Sequence, residues 1–324
     1  MKLITSVILF LFTLTIQAQD SNLLIKKELI SDWSKYPIFP YLTDSINGKT
    51  QWKPEYEYLD SIEVYGITYL SDGLKIRGLL AKPKKIGKYP CVIYNRGGNR
   101  EFGSLKIYDG ALTLGQIAKE GYVVIASQYR GNGGSEGKEE FGGNDINDIT
   151  ILPKILEEVK GADIEKIGMF GWSRGGMMTY IALTKTNKIK TAVVGGALSD
   201  LFSNIKDRPE IESRVLAELI PNYDEQKEEE LNKRSAIKWV NNFPKNVPIL
   251  LLHGNADWRV KPDQSLNLAT EFEKYRIPYR LIMFEGGDHE ITEHKKEVDE
   301  QVVNWFDKYL KNNEPLPKME YHGR

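Results

Sequence analysis

Six short apolar runs, none broken by a regular polar alternation, constrain this chain most. They read PCVIYN (90–95), YVVIASQ (122–128), KIGMFG (166–171), TAVVGG (191–196), VPILLLHG (247–254) and YRLIMFEG (279–286). Each has the length of a strand, and a continuous apolar strand must be buried on both faces. Helix-like segments separate the runs, and strands covered above and below by intervening helices belong to a parallel sheet between two helical layers. The expected fold class is α/β, with a mostly parallel central sheet. Ahead of the runs, residues 61–84 form two alternating stretches around Ser71-Asp72-Gly73, which is a hairpin pattern. Behind them, Val298, Val302, Trp305, Phe306 and Tyr309 fall on one stripe of a closing helix.

The alternation defines one domain over residues 61–312. Residues 19–60 carry Trp33, Tyr36, Phe39, Tyr41, Trp52, Tyr56 and Tyr58 without a clean period, and are expected to form an irregular arm packed across that domain. The charge-rich helical excursion at 199–246 is long for a connection and is expected to be a lid or cover. Residues 313–324 form a tail. The chain opens MKLITSVILFLFTLTIQAQD, a lysine and a short apolar run ending near Ala18, which predicts a signal peptide over residues 1–18. The expected location is periplasmic or secreted, with no membrane association after cleavage. The one cysteine, Cys91, lies inside an apolar run, so neither a lipid anchor nor an intramolecular disulfide is expected. With 44 Lys+Arg against 45 Asp+Glu, the near-neutral chain gives no electrostatic case for nucleic acid.

The third run leads into Gly171-Trp172-Ser173-Arg174-Gly175, a G-x-S-x-G pentapeptide between an expected strand and an expected helix. A sharp turn there would expose the Ser173 hydroxyl, with helix N–H groups close by for a developing anion. A serine needs a base to become a nucleophile. Of His253, His289, His294 and His322, only His289 follows a strand on a glycine-rich loop. His253 lies within a strand, where a structural role is expected; His294 and His322 are expected on the surface. Asp257, on the loop after LLLHG, is the expected acid, ahead of Asp263, Asp200 and Asp288. The chain order Ser, Asp, His is that of α/β-hydrolases.

GWSRGG, HGNADWRV and EGGDH resemble, in order and context, the nucleophile, acid and histidine segments of the prolyl oligopeptidase family of serine peptidases. SQYRGNGGSEG (127–137) and FGGNDINDI (141–149) extend the resemblance, which covers roughly residues 62–310. It implies an α/β-hydrolase fold with Ser173 as nucleophile, Asp257 as orienting acid and His289 as general base. It implies no metal and no organic cofactor. Larger members carry an N-terminal β-propeller; with about 40 residues between the expected signal peptide and the domain, no propeller is expected here. No acidic residues that would grip a free amine can be mapped, so exopeptidase specificity is not carried over.

For the oxyanion hole, the Arg174 backbone N–H is one expected donor, and the loop carrying Arg96 and Gly97 supplies the other. Arg96, Arg130, Arg174 and Arg259 all fall at expected strand ends, which suggests a cationic mouth for an anionic acyl group. Trp172 and Trp258 join Arg130 and Arg259 as candidate substrate contacts. The expected partner is a small acyl or peptide substrate. Peptide cleavage leads, a carboxylesterase with the same triad follows, and a non-catalytic binding protein on the same fold is the third reading.

Overall fold

The computed structural model describes residues 22–323, so the expected signal peptide at 1–18 lies outside the described residues. In chain order the strands are β1 (Leu24–Leu29), β2 (Thr43–Ile46), β3 (Lys49–Trp52), β4 (Ile62–Ser71), β5 (Leu74–Pro83), β6 (Tyr89–Asn95), β7 (Val123–Ser127), β8 (Ala162–Trp172), β9 (Ile189–Gly195), β10 (Ile249–Gly254) and β11 (Tyr279–Phe284). Among the described residues, nine of them make one sheet in the order β1-β4-β5-β7-β6-β8-β9-β10-β11, and β2 and β3 pair separately. From β7 to β11 every pairing is parallel, whereas β1, β4 and β5 add antiparallel strands at one side. The six continuous apolar runs are the six parallel strands, and burial explains the match: β7 and β10 are buried along their whole length.

Two apolar layers cover the sheet. One collects Ile167, Met169, Met177, Val194, Leu251 and Phe272; the other collects Val92, Val193, Leu250, Val302, Trp305 and Phe306. Helix Lys295–Phe306 buries Val298, Val302, Trp305 and Phe306, the stripe read from its spacing. The excursion after β9 is helical and packs into the first layer through Leu201, Val215, Leu216, Tyr223 and Leu231.

The arm differs from its expected irregular form. Its residues 24–29 pair with β4 as an edge strand of the main sheet. That strand, LIKKEL, is half-buried at Leu24 and exposed elsewhere, so no apolar alternation marks it; lysines on an edge strand discourage pairing with a further chain. Six of the arm's seven aromatic residues named above do pack down, with Trp33 buried and Tyr36, Phe39, Trp52, Tyr56 and Tyr58 against the second layer, whereas Tyr41 is exposed.

Candidate active site

The parallel strands all point the same way, so β8, β10 and β11 bring the residues after them to one edge of the sheet. β8 ends at Trp172 and the next helix begins at Arg174, leaving Ser173 alone to make the turn. Its backbone takes φ 57° and ψ −125°, a conformation that costs a non-glycine residue roughly 1–3 kcal/mol. The turn is held by Ser173 N–H donating to Gly195 O at 2.8 Å and by Ser173 O accepting from Gly176 N–H at 2.9 Å. A Cβ at Gly175 would fall on the carbonyl of Asn95, and one at Gly171 on the carbonyl of Gly175. The two glycines of the pentapeptide therefore let strand, turn and helix come this close. Among the described residues the Ser173 hydroxyl has no hydrogen-bond partner, and it lines a cavity of 1510 Å³ that His289 also lines.

His289 Nδ1 lies 2.7 Å from Asp257 Oδ2. A carboxylate oxygen only accepts, so Nδ1 carries a proton, and in the neutral ring Nε2 keeps its lone pair. Asp257 Oδ1 accepts from the N–H groups of Arg259 (2.8 Å) and Val260 (3.0 Å), which fixes the carboxylate plane. Asp257 is only 3% exposed. Burial alone would raise its pKa, but hydrogen bonds with His253 and His289 and from Val260 outweigh it and hold the carboxyl well below the usual range. His253, fully buried, faces the Val260 carbonyl with Nε2 at 2.8 Å and Ser265 Oγ with Nδ1 at 2.7 Å, which assigns its proton to Nε2. That N–H lies 3.4 Å from Asp257 Oδ2, so the strand histidine braces the acid. Trp172 donates Nε1–H to the His289 carbonyl at 2.8 Å and anchors the histidine loop to the serine strand.

Two backbone donors lie beside the same turn. The Arg174 N–H begins a helix and has no acceptor inside it. Gly97 approaches so closely that a Cβ there would stand 3.1 Å from Trp172 O and 3.3 Å from Ser173 Cβ. Neither N–H donates to a protein acceptor among the described residues. Both residues line the cavity, as does Arg96.

The four-arginine mouth is corrected by the structure. Arg130 does not line the cavity; its guanidinium is taken up by Asp148, at 2.8 Å, and Asp72, at 2.7 Å. Arg174 is 2% exposed and is paired with Glu139 and Asp145. Arg96 is buried and donates to the carbonyls of Gln128 and Gly97. Only Arg259 remains half-buried on the cavity wall, beside the 65% exposed Trp258. A second cation there, Arg208, was not singled out from the sequence: its guanidinium lies 5.0 Å from the Trp258 ring centre, with that of Arg259 at 5.8 Å. Arg208 sits in the charged excursion after β9, where nothing in the spacing distinguishes it from its exposed neighbours. Of the rival acids, Asp200 caps the helix Leu201–Asp207 and Asp263 begins the helix Asp263–Tyr275. Asp288 accepts from Glu290 and Thr292 at the surface. His322 is exposed, whereas His294, expected on the surface, is half-buried, its ring against Phe284 and its Nε2 2.8 Å from Glu285 O. Burial pushes the Cys91 thiol up to about 12, leaving it inert.

Among the described residues no cluster of His, Cys, Asp and Glu could hold a metal ion. The sequence model of the prolyl oligopeptidase family matches residues 112–313. The chain is 30% identical over 247 residues to the uncharacterized peptidase YtmA of Bacillus subtilis, covering 76% of this chain and 93% of that protein. It is 26% identical to the uncharacterized peptidase YuxL of the same organism, but spans only 38% of it. The acylaminoacyl peptidase of Pyrococcus horikoshii superposes with a TM-score of 0.68 at 25% identity, over 85% of this chain and 47% of that one. A puromycin-hydrolyzing peptidase of Mycobacterium tuberculosis, at 23% identity and a TM-score of 0.64, shares the fold. The chain thus spans less than half the length of those two solved peptidases.

Proposed function

The chain belongs to the prolyl oligopeptidase family of serine peptidases, and on that premise we propose that it cleaves peptide bonds through a Ser173–His289–Asp257 triad and an acyl-enzyme. The observation that carries this reading is the 2.7 Å bond between His289 Nδ1 and Asp257, which leaves Nε2 free in the cavity that the strained Ser173 turn also lines. His289 Nε2 takes the Ser173 proton as Oγ attacks the substrate carbonyl. The imidazolium is stabilised by Asp257, and the oxyanion is held by the N–H groups of Arg174 and Gly97. His289 returns the proton to the leaving amine, then activates a water that releases the acyl group. Export of the mature chain to the periplasm or the medium is part of the same reading and rests on the opening sequence.

Kinetics on paired amide and ester substrates with one acyl group test it. Wild type is expected to turn over the amide, and Ser173→Ala to lose on the order of 10⁶-fold in kcat. Ester turnover without measurable amide turnover would overturn peptide cleavage and leave the esterase. Equal turnover of both substrates by Ser173→Ala would overturn the triad.

A further inference from the structure

Arg174 follows the nucleophile, and its side chain leaves the cavity wall to enter a buried cluster. Nη1 donates to Gly98 O at 3.0 Å and pairs with Glu139; Nη2 pairs with Asp145 at 2.7 Å. The other oxygen of Glu139 accepts from the Arg100 N–H at 2.7 Å. The same guanidinium lies over the rings of Tyr129, at 5.1 Å, and Phe141, at 4.6 Å. Tyr129 also has the Arg96 guanidinium over its ring, at 5.0 Å, and donates its hydroxyl to Arg96 O at 3.0 Å. Three of these contacts reach the loop 96–100, through Gly98 O, through Glu139 and the Arg100 N–H, and through Tyr129 and Arg96, while Asp145 and Phe141 hold the guanidinium from outside it.

That loop has little regular structure of its own. Its only ladder contact is an isolated bridge from Asn99 to Phe102, and Gly98 and Arg100 both take positive φ, 70° and 51°. Its Gly97 N–H must nonetheless stand at a fixed place beside Ser173, because oxyanion donors act by being oriented before charge develops. The two carboxylates offset the cation, so what this side chain supplies is position rather than field.

We propose that Arg174 is the positioning residue of the oxyanion hole: its backbone N–H is one donor, and its side chain, directly through Gly98 O and indirectly through Glu139 and the Arg100 N–H, sets the place of the other. This deepens the triad reading and rests on it. Arg174→Met keeps the backbone donor and removes the clamp. Glu139→Gln keeps the side-chain shape and weakens one arm of it, and serves if Arg174→Met does not fold. Leu156→Ala, in the core away from the cavity, controls for lost stability.

The measurements are kcat and KM on a peptide amide, and the affinity for a peptide aldehyde, which forms a tetrahedral adduct. Arg174→Met is expected to lose about 100-fold in kcat and a comparable factor in aldehyde affinity, with KM within about threefold. Glu139→Gln is expected to lose about tenfold in both, Arg174→Lys to recover part of the kcat, and Leu156→Ala to lower Tm with kcat unchanged. An unchanged kcat in both Arg174→Met and Glu139→Gln, or a kcat loss equalled by Leu156→Ala at the same fall in Tm, would overturn the proposal. A KM rise at constant kcat would overturn it too, because the side chain would then be binding substrate. If Ser173→Ala leaves wild-type turnover intact, it is the triad reading that fails.

Discussion

At Asp257 two opposing effects act on one carboxyl group. Burial to 3% exposure disfavours its charge, whereas His253, His289 and two backbone N–H groups favour it, and the second set prevails. Because the folded pKa is depressed, the group contributes stability that is fully present above the unfolded value, about 3.9. That stability is lost as pH falls through the lower folded value. Asp257→Asn is therefore expected to lower Tm near neutrality and to flatten the fall in Tm below about pH 4, a difference that a thermal-melt series across pH resolves. The same substitution leaves the imidazole without its acceptor and lets Nδ1 lose the proton, so kcat should drop about 10⁴-fold. His253→Phe removes the brace while keeping a ring in the pocket. Because the buried Val260 carbonyl then loses a donor, a loss of roughly 1–3 kcal/mol is expected in chemical denaturation.

At the scale of elements, the site depends on how closely β6, β8 and the helix Arg174–Leu183 approach one another. Gly175→Ala would drive a methyl into the Asn95 carbonyl, so the helix start must move away from the β6 loop. Because that shift displaces both backbone donors together, kcat is expected to fall by at least about 100-fold even in protein that folds, as steady-state kinetics would show. Strand positions were legible because the inner parallel strands are buried on both faces and say so in continuous apolar letters, and the half-buried edge strand β11 keeps the same apolar run. β1 was not: an exposed edge strand has no core face to write into its sequence. The turn at Ser173 was legible from its two glycines. The destination of the Arg174 side chain was not, because Glu139 and Asp145 lie 35 and 29 positions away and only the packed fold brings them together.

For the whole molecule, the arrangement of strand ends decides what reaches the chemistry. β8, β10 and β11 deliver serine, acid and histidine to one edge, and this was readable from where each apolar run stops. The sum of charges at that edge was not readable, since three of the four arginines expected at the mouth are consumed by carboxylates or carbonyls. Among the described residues, those that line the cavity from the excursion and from 258–260 include Arg208 and Arg259 and no carboxylate. Arg208 is paired with Glu210 at 3.0 Å, which leaves Arg259 as the cation that a free α-ammonium bound against that wall would meet. Peptides with an acetylated amino terminus are accordingly expected to show kcat/KM about tenfold above the same peptides with a free amine, the gap narrowing as salt is raised. Equal values at low salt would remove electrostatics from substrate selection.

The central claim is that Ser173 is a nucleophile activated by His289, and covalent capture tests it most directly. Wild-type protein treated with a fluorophosphonate and digested for mass spectrometry should carry one stoichiometric adduct, on the peptide containing Ser173. His289→Ala should slow its formation on the order of 10³-fold or more while the fold is retained. An adduct on another residue, or none on folded wild-type protein, would contradict the account.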